Sequence, residues 1–165
     1  MNTVARQSSD QKHDSAPIVV GIDGSESSRH ALEWAVREAE TRGVGVRVIS
    51  TYAIPTIAMA EPGFSYEPAN IQELADYTRK VAATEVAKAS KAHPGVKVEA
   101  EVVEGSAAQA LLEASVGASM LVVGSRGHGG FVGLLLGSVS QQCVTHAHCP
   151  VVVVRPYARP EKAAG

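Results

Sequence analysis

A glycine-rich segment is the part of the sequence whose residue types and spacing most clearly suggest chemistry. It runs from Gly124 to Ser138, and six glycines fall within its first 14 positions. Glycine permits positive φ and lets a ligand approach the backbone closely, and successive N–H groups in such a loop can form an anion nest. Ser138 then opens a predicted helix, whose free N-terminal N–H groups also favour an anion. The segment predicts a phosphate site; the alternative is a turn whose glycines only save space.

Two familiar phosphate-binding motifs do not fit this segment. A Walker A loop needs Lys directly before Ser or Thr, and Gly137 stands there instead. Arg126 is the permanent cation of the segment, with His128 as a titratable second one. The dinucleotide fingerprint needs a third glycine where the chain has Val132. The anion would therefore be held mainly by backbone groups.

The remaining candidate groups give weaker signals. Asp23 ends a predicted strand, where it either shapes a turn or faces a ligand at the strand end. The sequence has no Asp or Glu between Glu113 and Glu161, so the glycine-rich segment has no local general base and no enzyme is predicted. Four residues of types that can bind metals lie close together in the sequence: Cys143, His146, His148 and Cys149. Their spacing is poor for a metal site, and we predict no metal site from the protein alone.

Short apolar runs alternate with helical patterns along the chain. The predicted strands are 18–22, 44–52, 96–103, 119–123 and 151–154. Between them, helices are predicted after Ser25 or Ser27, from about Ile71, after Ser106 and from Ser138, with a long loop over 53–68. Regular alternation predicts an α/β fold with a five-stranded parallel sheet and helices on both faces. Such sheets bind ligands beyond the carboxyl ends of their strands.

Composition sets the remaining expectations. The 165 residues suit one domain, predicted over 17–156 between disordered tails at 1–16 and 157–165. The net charge of −2 and the 4% of aromatic residues argue against nucleic-acid binding. The chain shows no secretory leader and no apolar run long enough for a membrane span, and its two cysteines make no disulfide framework. We therefore expect a cytoplasmic protein without a membrane partner.

The pattern Gly124-x2-Gly127-x9-Gly137-Ser138 resembles the ATP-binding signature of the universal stress protein family. The stretches 19–25 and 149–155 are similar to that family too, and the similarity covers about residues 17–156. The resemblance implies a Rossmann-like fold with strand order 3-2-1-4-5. It also implies binding of ATP together with magnesium, a regulatory stress-response role with little or no hydrolysis, and a homodimer through strand 151–154.

The resemblance also implies which residues bind the nucleotide. Thr51 would contact adenine through its backbone, and Asp23 would contact the ribose or a magnesium ion carried by the ATP. The whole implied set is Gly21, Asp23, Thr51, Gly124, Ser125, Arg126, Gly127, His128, Gly129, Gly130, Gly137, Ser138, Val139 and Ser140.

Two other functions stay open at this point. A nucleotidyltransferase of related fold would carry His-x-Gly-His after the first strand, whereas this chain has Asp23-Gly24-Ser25-Glu26. A nucleotide-free dimeric interaction module would not need the intact Gly127 and Gly137. Both features favour a nucleotide-binding regulator.

Overall fold

The computed structural model describes residues 16–53, 68–127 and 135–156. Within these ranges five strands alternate with four helices: β1 (Ile18–Gly21), α1 (Glu26–Arg42), β2 (Val46–Tyr52), α2 (Pro68–Ala92), β3 (Val98–Glu104), α3 (Ala107–Ser115), β4 (Met120–Gly124), α4 (Ser138–His146) and β5 (Val151–Val154). The predicted loop over 53–68 ends one residue early, because Pro68 already opens α2, a position that suits proline. The rest of that loop and nearly all of both predicted tails lie outside the described residues.

The sheet has the order β3-β2-β1-β4-β5, and every neighbouring pair is parallel. The predicted fold class and strand order are thus confirmed. Ile18 at the start of β1 pairs with Val46 of β2 on one side and Met120 of β4 on the other. β1 is therefore central, which explains why its run of apolar residues is continuous rather than alternating.

Two apolar layers cover the two faces of the sheet. Ile18 and Val20 of β1 pack with α1 and α2 on one face. Val19, between them, packs with Leu111 of α3 and Cys143 of α4 on the other. α1 and α2 follow β1 and β2, whereas α3 and α4 precede and follow β4, so the winding direction reverses between β1 and β4. A crevice forms at the carboxyl ends of strands where such a reversal occurs.

The end of β4 lies very close to the first turn of α1. A Cβ added to Gly124 would lie 2.5 Å from Ser27 Oγ and 2.8 Å from the backbone carbon of Ser27. The first distance could grow by a rotation of the side chain, but the second involves backbone and could not. Glycine at this position is what lets α1 pack against the carboxyl end of β4.

We expect Gly124→Ala to lower the free energy of unfolding by about 1–3 kcal/mol, the usual effect of forcing an extra carbon into a packed region. Gly95→Ala is the matched control, since a Cβ there would meet nothing within 4 Å and the φ of Gly95 is not positive. It should leave stability unchanged or raise it by up to about 1 kcal/mol. Urea unfolding of both variants measures this, and equal stabilities would contradict the packing role of Gly124.

Candidate functional site

A cleft opens at the carboxyl edge of the sheet, where the winding reverses. The space between its lining atoms, counted with its open mouth, is about 490 Å³. Its walls come from the ends of β1, β2 and β4, from the loop after β4, and from the first turns of α3 and α4. The lining residues are Gly21, Ile22, Asp23, Ile49, Thr51, Ala107, Leu111, Val123, Gly124, Arg126, Val139 and Ser140.

The floor of the cleft is apolar. Ile22, Ile49, Leu111 and Val123 line it, and each is at most 6% exposed in the structure. Gly21 shapes this floor indirectly, because a Cβ added there would lie 2.9 Å from Leu111 Cδ1. A flat, apolar group such as a ring could bury its faces on this floor.

The first turn of α4 forms a polar wall of the cleft. The N-cap serines of α1 and α3 accept a hydrogen bond from the third residue of their helix, Ser25 from Ser28 at 3.2 Å and Ser106 from Gln109 at 3.5 Å. α4 begins differently, because its N-cap is Gly137 and no side chain caps it. The N–H groups of this first turn therefore have no acceptor on the N-cap side chain, and Val139 and Ser140 place the turn at the cleft.

Asp23, just beyond the end of β1, has two roles in the structure. Its Oδ1 accepts the N–H of Ser25 at 2.9 Å, which is the turn-shaping role. Its carboxylate also lines the cleft, and a Cβ added to Gly127 would lie 2.6 Å from Asp23 Oδ2. Glycine at 127 therefore lets the loop after β4 approach the carboxylate at the end of β1.

Thr51 directs its backbone into the cleft. The N–H of Ile22 donates to the C=O of Ile49 at 2.9 Å, so the backbone groups of Ile49 point toward β1. Residues two apart in a strand point the same way, so those of Thr51 do as well. Pairing between β1 and β2 ends at Gly21 and Ile49, whereas β2 continues to Tyr52. The backbone of Thr51 therefore faces the space beyond the end of β1.

The structure separates the predicted site residues into three groups. Lining the cleft are Gly21, Asp23, Thr51, Gly124, Arg126, Val139 and Ser140. Beside it, outside the lining, are Ser125, Gly127, Gly137 and Ser138. His128, Gly129 and Gly130 lie outside the described residues.

Ser125 is mainly structural in this arrangement. It is 4% exposed, and its N–H donates to the C=O of Val154 at 2.8 Å. Its own C=O accepts the N–H of Gly137, also at 2.8 Å. These two bonds join β4, β5 and the start of α4, and they leave the backbone of Ser125 engaged within the protein.

Sequence reasoning missed the apolar floor. Ile22, Ile49 and Val123 look like ordinary strand residues, and their place at the cleft follows only from the strand order. Ala107 and Leu111 are four apart on α3, a spacing that puts them on one helix face without showing that the face looks onto a site.

The cysteines and histidines near α4 do not form a metal site in the described part of the chain, where no group of three or more His, Cys, Asp or Glu could hold an ion. Burial raises the pKa of the Cys143 thiol to about 11, and the nearby Cys149 adds to the shift. Burial also raises the pKa of Cys149. Protonated thiols are poor ligands, since metals bind the thiolate.

A search of the described helices for a membrane span finds none with the necessary length and apolar character.

Comparison with known proteins gives concordant results. A family model described as the universal stress protein family matches residues 15–155. A universal stress protein of Mycobacterium tuberculosis is 36% identical over 159 residues, covering 88% of this chain and 50% of that protein. The chain thus spans about half the length of the curated relatives it matches.

Solved structures share the fold. Universal stress protein UspA from Lactobacillus plantarum has a TM-score of 0.66 at 18% identity, over 86% of this chain and 98% of that one. A universal stress protein in complex with cAMP has a TM-score of 0.60 at 26% identity, over 85% of this chain and 97% of that one.

Two substitutions of Asp23 separate its role in the turn from a role in the site. Asn can still accept the N–H of Ser25, so Asp23→Asn should change the melting temperature little. If Asp23 contacts the nucleotide expected from the sequence, ATP affinity should fall about tenfold to a hundredfold, because a hydrogen bond to a charged group is worth roughly 1.5–3 kcal/mol. Asp23→Ala should lower both affinity and melting temperature.

Calorimetric titration and thermal unfolding of both variants, with and without magnesium, provide the measurements. A stable Asn variant with the affinity of the wild type would remove Asp23 from the site.

Proposed function

The chain belongs to the universal stress protein family, and from that premise we propose that its cleft binds ATP and that the protein acts as a nucleotide-dependent regulator rather than a catalyst. The adenine would lie on the apolar floor, the ribose near Asp23, and the phosphates against the loop after β4 and the start of α4. One cleft is lined by residues from each of these places, namely Ile49, Asp23, Arg126 and Val139, which supports this placement.

The uncapped first turn of α4 is the main support for this proposal. Of the three helices whose N-caps are described, α1 and α3 satisfy the N–H of their third residue with a serine side chain, and α4 does not. A phosphate oxygen could take the place of that missing acceptor. The charge of Arg126, which lines the same cleft, favours an anion there.

The adenine part of the proposal has separate support. The backbone N–H and C=O of Thr51 face the cleft beyond β1, and a planar base could exchange hydrogen bonds with both. The fold relative at 26% identity is in complex with cAMP, an adenine nucleotide. The pattern Gly124-x2-Gly127-x9-Gly137-Ser138, which resembles the ATP-binding signature of the family, is the reason for proposing ATP rather than a shorter nucleotide.

Hydrolysis should be slow or absent. Fast phosphoryl transfer needs positioned cations and an oriented nucleophile. Asp23 is the carboxylate among the described lining residues, and its Oδ1 is held by the Ser25 N–H. Asp23 could serve as one ligand of a magnesium ion that is bound to the phosphates. That ion would supply positive charge but no base to orient a water molecule. The bound nucleotide would therefore act as a signal.

Titration of the protein with ATP tests the proposal. The wild type should bind ATP, with phosphate release far below about 1 per second, the lower end for kinases. Gly127→Val places a branched side chain where an added Cβ already lies 2.6 Å from Asp23 Oδ2. We expect its ATP affinity to fall roughly tenfold or more.

Gly95→Val is the matched control, because a Cβ there meets nothing within 4 Å. It should bind ATP as the wild type does. A wild type without affinity for ATP or AMP would favour the nucleotide-free interaction module, and turnover at kinase rates would favour an enzyme.

We also propose that a second copy of the chain pairs with β5. The sheet has two edges, and they differ in charge: Glu99, Glu101 and Glu104 of β3 are exposed, whereas β5 is Val151–Val154 throughout. Charges protect an edge strand from pairing, and an uncharged apolar edge invites it. Two copies meeting at β5 would form a two-fold interface.

The backbone direction of β5 identifies a sharp test. Leu121 N–H donates to Pro150 C=O and Ser125 N–H to Val154 C=O, so the backbone groups of Val151 and Val153 point away from β4. Val153→Pro removes one outward N–H without removing a bond inside the sheet. It should yield monomers in light scattering.

Ala100→Pro is the control at the opposite edge. Val46 N–H donates to Lys97 C=O and Gly105 N–H to Tyr52 C=O, which leaves the backbone groups of Ala100 pointing outward from β3. This variant should keep the oligomeric state of the wild type. A wild type that is monomeric at micromolar concentration, or a folded Val153→Pro variant that still dimerises, would refute pairing through β5.

A further inference from the structure

Ser140 joins the first turn of α4 to the end of β4. It is 4% exposed, and its Oγ donates to the C=O of Gly124 at 2.6 Å. The bond is buried and spans 16 positions of the chain. It therefore fixes where the helix begins relative to the strand, across the whole glycine-rich segment.

The carbonyl of Gly124 needs this donor. The N–H of Ser125 bonds to Val154, so the backbone groups of Gly124 itself point away from β5 and toward β1. The pairing of β4 with β1 ends at Val122 and Val20, two residues earlier. Buried carbonyls are nearly always paired, and at this strand end the hydroxyl of Ser140 takes the place of a neighbouring strand.

Ser140 is also the third residue of α4. In α1 and α3 the N–H of the third residue, Ser28 or Gln109, is bonded by the N-cap serine. The equivalent donor in α4 is the N–H of Ser140, and Gly137 offers it no side chain. One residue thus presents its N–H at the uncapped helix start and anchors its side chain to the strand end.

Resting on the proposed nucleotide site, we propose that the hydroxyl of Ser140 is a positioning group for phosphate recognition. It does not contact the phosphates. It holds the first-turn N–H groups of α4 at a fixed place relative to the loop that carries Arg126 and Gly127. The bond from Gly137 N–H to Ser125 C=O also links the start of α4 to the end of β4, but it is made by the N-cap residue, before the first turn of the helix.

The test compares ATP with adenosine, which has the same base and ribose but no phosphate. Ser140→Ala should weaken ATP binding roughly tenfold and change adenosine binding less than about twofold. Ser140→Cys keeps the size and a weak donor, so its ATP affinity should lie between those of the Ala variant and the wild type. Retained adenosine binding shows that each variant is folded.

Thr145→Ala is the matched control on the same helix. Its Oγ1 donates to the C=O of Gln141 at 2.8 Å in an exposed position within α4. This variant also loses a hydroxyl bonded to a backbone carbonyl, but no tie to β4, and it should bind ATP as the wild type does.

Three other outcomes would refute the positioning role, and a fourth would refute the nucleotide site as well. Wild-type ATP affinity in Ser140→Ala, or an equal loss for ATP and adenosine, would refute the positioning role while leaving the nucleotide site in place. A loss in Thr145→Ala as large as that in Ser140→Ala would also refute it. A wild-type protein that binds neither ligand would refute the proposed function itself, and the positioning role with it.

Discussion

The exit of β4 is enclosed from both faces of the sheet, and the rest of the cleft depends on this enclosure. On one face, the first turn of α1 comes so close that a Cβ on Gly124 would lie 2.8 Å from the backbone of Ser27. On the other, Ser140 of α4 bonds the carbonyl of the same glycine at 2.6 Å. Two helices can approach one strand end in this way only where the strand ends in a residue without a side chain.

Among the three helices whose N-caps are described, the capping residue decides which helix start is open to a ligand. The N-cap serines of α1 and α3 satisfy their own helices, and Ser25 is in turn held by Asp23. α4 starts with Gly137, whose N–H bonds to Ser125 and whose missing side chain leaves the first turn uncapped. A serine or aspartate at 137 would supply the acceptor that the proposed phosphate now replaces. The distribution of N-caps therefore favours α4 as the place where the cleft meets an anion.

Much of this arrangement could be predicted from the sequence, and the limits have physical causes. The alternation of apolar runs with helical patterns predicts the parallel sheet, because each pattern reflects local burial. The strand order is a long-range property, and only the family resemblance implies it. Ser25 and Ser27 were equivalent as caps by residue type; the fold distinguishes them, since Ser27 packs against Gly124. The apolar floor comes from β1, β2, β4 and α3, so no single stretch of sequence carries its pattern.

The glycines show the same limit in another form. Composition predicts that Gly124 and Gly127 make room for phosphates, yet the space beside each is occupied by the protein itself, by Ser27 and by Asp23. Their first effect is to let three chain segments converge at the carboxyl edge of the sheet. Recognition of an anion by backbone N–H groups depends on such convergence, because fixed dipoles cannot follow a ligand as a lysine side chain can. In a cleft of this kind, the packing of α1 and α4 around the end of β4 sets the binding geometry, and affinity becomes a property of the fold as much as of the residues that touch the ligand.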